Sequence, residues 1–137
     1  MNSNDTSTDK SEFLLLFRGT DWHHGLSPDQ IQSIMESWGK WFTELSESGK
    51  LVSGHPLENQ GVIISGKSGQ VADGPFTESK ESVGGYFYLK VASLDEAVAI
   101  GHNCPVLAYG VEVEVRPVAA ACPMQRMMDE MKEMALS

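Results

Sequence analysis

Apolar side chains crowd both sides of the stretch EFLLLFR (12–18). As a strand it would turn Phe13, Leu15 and Phe17 one way and Leu14 and Leu16 the other, which suits a central strand or one covered on both faces. The period then changes. Ile31, Ile34, Met35, Trp38, Phe42 and Leu45 recur at helical spacing. Ser27-Pro28-Asp29-Gln30 offers that helix a cap, a proline in its first turn and a glutamine three residues past the cap, and Gly49 ends it. LVSG (51–54) reads as a second strand. VIIS (62–65) and QVAD (70–73) flank Gly66-Lys67-Ser68-Gly69 as a hairpin. GGYFYLKV (84–91) alternates, with Phe87, Leu89 and Val91 opposite Tyr86, Tyr88 and Lys90. Ser93-Leu94-Asp95-Glu96 opens a short helix that runs to about Asn103, before Pro105. In GVEVEVRPV (110–118), Val111, Val113 and Val115 oppose Glu112, Glu114 and Arg116.

The order predicts an α+β domain. Without the inserted hairpin it is βαββαβ, the ferredoxin-like arrangement, in which two helices cover one face of an antiparallel sheet. The other face carries Leu14, Leu16 and tyrosines, and a second copy of the same sheet is its economical cover, so a homodimer is expected. Residues 1–11 read as a disordered polar tail, 12–118 as the domain, and 119–137 as a Met-rich C-terminal segment. Within that segment PMQRMMDEMKEMAL (123–136) places Met124, Met127, Met128, Met131 and Met134 near helical spacing. This helix would dock on its own core or on the dimer mate, or offer an adaptable binding surface.

Charge narrows the function. The 137 residues carry a formal net charge of -9, which opposes phosphate-backbone binding and so excludes nucleic acid as an expected partner. A solvated acidic surface and an acidic face for a basic protein are both compatible with it. No apolar run approaches the ~18–20 residues a membrane span needs, and the polar start lacks a signal-peptide pattern, so a cytoplasmic location is expected. Cys104 and Cys122 read as reduced thiols. His23, His24, His55 and His102 include no helical i, i+4 pair, and no Gly-rich phosphate loop follows a strand, so neither metal nor cofactor is expected.

The candidate chemistry lies in several places. Asp73-Gly74-Pro75-Phe76 makes a good turn, but Glu78, Lys80 and Glu81 add charge that a turn does not require. Asp73 is the leading acceptor or general base at a cleft rim, and His55, just past a strand end, is the other acid/base candidate. Lys80 and Arg116 are the leading anion contacts. Arg18 could also bind an anion or join a salt bridge between subunits, and Glu114 shares its strand face with Arg116. Trp38 and Trp41 are either core or walls of a pocket for a flat organic ligand. Cys104 lacks the positive surroundings of a catalytic thiol.

The motifs DGPFTESKE, GGYFYLKVASLDEAVAI, NCP and EVEVRPV, with LFRG, LSPDQ, WGKW and GKLVSGHPL upstream, resemble the YCII-related family in its DGPF-domain branch, often labelled "transcription initiation protein". The resemblance covers about residues 12 to 118. It implies a dimeric α/β-barrel type of fold. One branch of that family is linked to a lyase-type dehydrochlorination that uses a helical His with an Asp nearby. Those positions fall here at Trp38 and about Glu47, so the His of that dyad is absent. The resemblance also implies gene neighbourhoods with extracytoplasmic-function sigma factors. Two functions follow as expectations: a small polar or aromatic molecule bound in a dimer-associated cleft with lyase- or isomerase-type acid–base chemistry, or a regulatory module that binds a sigma factor.

Overall fold

The computed structural model describes residues 11–73, 82–119 and 123–136, the side chains of residues 72 and 73 excepted. Alternation along Ser11–Arg18 builds strand β1, in which Phe13, Leu15 and Phe17 are buried and Leu14, Leu16 and Arg18 only partly so. Helix α1 spans Pro28–Glu47. The Ser27 side chain accepts from the Gln30 amide, and the Gln30 side chain accepts from the Ser27 amide, so two of the orphan donors at the helix start are satisfied. Ile34, Trp41 and Leu45 are its buried residues. Strand β2 (Leu51–Pro56) follows, then β3 (Val62–Ser65) and β4 (Gln70–Asp73), then the long β5 (Val83–Val91). Helix α2 (Leu94–Gly101) is capped by Ser93, which accepts from the Glu96 amide. A short 3-10 turn at Leu107–Tyr109 leads to β6 (Glu112–Pro117), and α3 (Pro123–Leu136) comes last.

Four strands form one antiparallel sheet in the order β2-β5-β1-β6, and β3 pairs with β4 in a separate hairpin. The result is a mixed α/β fold with an antiparallel sheet and three α-helices among the described residues. The first face of the sheet, with Phe13, Leu15, Phe17, Phe87, Leu89 and Val91, packs against the buried residues of α1 and α2 in a single core. Val113 and Val115 lie partly buried against that core. Helix α2 approaches closely: a Cβ on Gly101 would meet Val113 Cγ1 at 3.4 Å.

Three departures from the local pattern matter. The sequence ends the second strand at Gly54, but β2 continues through Pro56, because pairing with β5 carries it on. Its register slips between Leu51, opposite Leu89, and Ser53, opposite Tyr88, so Val52 is the extra residue of a bulge. The last strand begins at Glu112 rather than Gly110, since Gly110 has φ 95° and closes the 3-10 turn. In the β3–β4 hairpin the expected turn is present, with Gly66 at φ 78° and Gly69 at φ 69°. Val62, Ile64 and Val71 on this hairpin are exposed.

Candidate functional site

The site grows from four glycines and a cluster of rings. At the end of β1, Gly19 takes φ 104°, a conformation that favours glycine, and its amide donates to the Ser82 carbonyl at 3.1 Å. Gly54 on β2 and Gly84 and Gly85 on β5 lie nearby. With no side chains to fill the space between α1 and the β2–β5 edge, a cavity of about 400 Å³ remains. That volume is within the ~300–1,000 Å³ typical of small-ligand pockets. Its apolar wall is Phe17, Trp38, Phe42, Phe87, Val106 and Val111, and the exposed residues Pro56, Leu57 and Asn59 border its mouth. The rings hold one another edge to face: Phe17 to Phe87 at 4.9 Å, Phe17 to Trp38 at 5.1 Å, Trp38 to Phe87 at 5.7 Å. Such contacts add directional preference to simple burial.

The sequence candidates divide between the two faces of the sheet. Trp38 borders the cavity. Trp41, three residues on, is 8% exposed and joins the core beside Trp38 at 5.3 Å, so it walls no part of the cavity. Its Nε1 is buried with no acceptor among the described residues. His55 borders the cavity at the β2 edge together with Tyr86. Alternation turns both of their side chains to the second face, where His55 Nδ1 and the Tyr86 hydroxyl are 2.9 Å apart.

Register continues this row across the sheet, from His55 and Tyr86 to Leu16 and then Glu114. Here Arg18 donates through Nε at 2.9 Å and Nη2 at 2.7 Å to one oxygen of Glu114. Arg116 approaches the other oxygen at 3.7 Å. Arg18 and Glu114 side chains are 33% and 32% exposed, so this pair is only partly desolvated. The Tyr88 hydroxyl donates to Glu12 on the same face, and that bond, with the carboxylate's negative charge, holds the Tyr88 pKa above its ordinary value.

Asp73 closes β4 opposite Val62, and its side chain lies outside the described residues. Glu78, Lys80 and Glu81 also lie outside them. The chain re-enters at buried Ser82 and then at Gly84, beside the cavity. Cys104 is a buried free thiol whose pKa is raised by burial, against smaller opposing effects of hydrogen bonds from the Val106 and Leu107 backbone. Among the described residues no group of three or more His, Cys, Asp or Glu gathers to hold a metal ion, and no helix is long and apolar enough to cross a membrane.

Tyr86, Phe87 and the glycines were not among the sequence candidates. The GGY run and the glycine of SGHPL were the available signal, but only the pairing of β2 with β5 brings them together.

A helix-covered antiparallel sheet with an aromatic cavity at one edge defines the class, a small mixed α/β domain. The chain matches the YCII-related domain over residues 11–120 and belongs to that family. No protein among the curated ones compared matches it. Among solved structures it is similar to a 5-chloro-2-hydroxyhydroquinone dehydrochlorinase from Burkholderia phenoliruptrix AC1100 in complex with 2,5-dihydroxybenzoquinone. The identity is 17%, the TM-score 0.42, and the alignment covers 80% of this chain and 95% of that one. It is also similar to a hydroxynitrile lyase from Passiflora edulis, at 10% identity and TM-score 0.36, covering 85% of this chain and 99% of that one.

Proposed function

We propose that this YCII-related protein binds a small, largely apolar ring compound in the cavity between α1 and the β2–β5 edge. The observation that supports this best is the cavity itself: about 400 Å³, walled by Phe17, Trp38, Phe42 and Phe87. Rings and backbone surround a flat molecule there, and the Thr20 and Asn59 side chains at its border offer hydrogen bonds to one polar end. The finer reading assigns acid–base chemistry of lyase or isomerase type to a ligand that reaches the β2 edge. His55, bonded to Tyr86, is its proton-transfer group. Asp73 is the second group of that proposal.

The same reading takes the domain as the DGPF branch of the family, with a ferredoxin-like core, in the cytoplasm. The sheet order β2-β5-β1-β6 with a helix after β1 and another after β5 supports the ferredoxin-like description. Pairing of two second faces into a homodimer would place Arg18, Glu114 and Arg116 between subunits.

Titration of the protein with neutral one-ring phenols and ketones, followed by tryptophan fluorescence, tests the binding. Saturable quenching is expected, with Trp38→Leu weakening it at least about tenfold, the scale of a lost anchor ring. His55→Gln should leave that affinity intact and remove any turnover found. No saturable quenching by any of these compounds, or unchanged affinity in Trp38→Leu, would reject the site.

A further inference from the structure

Phe87 forms one wall of the cavity, and its ring lies against β2 where residue 54 has no side chain. We infer that Gly54 is the positioning residue that determines which ligands the cavity admits, acting through Phe87; this rests on the reading of the cavity as a small-molecule site. A Cβ at position 54 would stand 2.7 Å from Phe87 Cδ1, 3.2 Å from Phe87 Cε1 and 3.0 Å from the Tyr86 carbonyl oxygen. Real side chains do not approach so closely, so the ring or the β2 backbone must move.

The neighbouring contacts decide which. On one side the β2–β5 ladder holds the backbone, with Gly54 opposite Phe87 and His55 opposite Tyr86. On the other sides the Phe87 ring centre lies 4.9 Å from that of Phe17, 5.0 Å from Trp41 and 5.7 Å from both Trp38 and Phe42. The cavity is the open space that Gly54 and Phe87 both border. A methyl group at residue 54 therefore pushes the ring into the volume a ligand would use. Gly85 works in the same region but differently. Its Cβ would meet the His55 carbonyl oxygen at 3.1 Å and Pro56 Cα at 3.3 Å, which is backbone, so it holds the two strands close rather than tuning a side chain.

This makes the ligand class specific. With Phe87 laid against β2, the cavity takes a flat aromatic ring with a small polar substituent, and residue 54 acts as the gauge of how much of its volume the Phe87 ring leaves free.

The experiment uses 4-fluorophenol and 6-fluoro-2-naphthol as probes, read by fluorine NMR, on the full chain. Wild type should bind 4-fluorophenol, and its affinity for the naphthol is the reference for a widened cavity. Gly54→Ala should weaken 4-fluorophenol at least about tenfold, the scale of a shift forced by overpacking. The double variant Gly54→Ala with Phe87→Val, which deletes the two ring atoms that would clash, should bind 4-fluorophenol more tightly than Gly54→Ala does. A merely structural loss at residue 54 would not be repaired by removing a core ring. Phe87→Val alone should bind the naphthol more tightly than wild type does, and it decides the matter if Gly54→Ala does not fold. Wild-type affinity in Gly54→Ala, failure of the double variant to recover, or no gain in naphthol affinity in Phe87→Val overturns the inference while the cavity reading stands. Absence of 4-fluorophenol binding in wild type removes both.

Discussion

Single side chains in this protein are governed by which way their element turns them. Trp38 and Trp41 read alike in the sequence, as core residues or as walls for a ligand. Three helical positions differ by about 60° around the axis, enough to send one ring to the cavity and the other into the core. Cys104 shows the same control by burial. Its thiol pKa is raised above the ordinary 9.0, chiefly because the charged thiolate would lose its water. Iodoacetamide at neutral pH, followed by peptide mass mapping in a Cys122→Ser background, should leave Cys104 unlabelled until denaturant is added. Rapid labelling of the folded chain would contradict its burial. The linkage has a definite sign. A group that holds its proton more tightly when folded stabilises the fold fully below its unfolded pKa, so this contribution persists below pH 9.0 and is lost as pH rises past it.

At the scale of elements, the second face of the sheet is the feature that calls for a partner. Leu14, Leu16, Tyr86 and Tyr88 lie along it only partly buried, framed by the Arg18–Glu114 pair and by His55 bonded to Tyr86. The ion pair alone would give little: partly exposed pairs contribute roughly 0–1 kcal/mol. In the proposed homodimer the apolar strip would therefore be the larger driving force. Sedimentation velocity should show a dimer for the natural sequence and a folded monomer for Leu16→Asp, which sets a charge in the middle of the strip. A natural chain that sediments as a monomer at all working concentrations would contradict the dimer. Much of this element structure was legible in the residues. Period-two alternation marked β1 and β5, the Ser27 and Ser93 caps marked both helices, and paired glycines marked the hairpin turn. The bulge at Val52 and the extension of β2 to Pro56 were not legible. They depend on which strand β2 meets, and that partner lies some thirty residues away in sequence.

For the whole molecule, the cavity is a joint product of distant segments. The end of β1, the middle of α1, the β2 edge, the start of β5 and the loop before β6 all border it. No local motif encodes such a place, which is why sequence reasoning fixed on the Asp73–Glu81 stretch, whose side chains lie outside the described residues, and passed over Gly54 and Phe87. The most direct test is amide chemical-shift mapping of the isotope-labelled protein during titration with 4-fluorophenol. The account predicts saturable shifts concentrated at Gly54, Gly84, Gly85 and the Trp38 indole, with the amides of α3 unmoved. Shifts that never saturate, or that gather on α3 or on the β3–β4 hairpin while those four signals stay still, would contradict it.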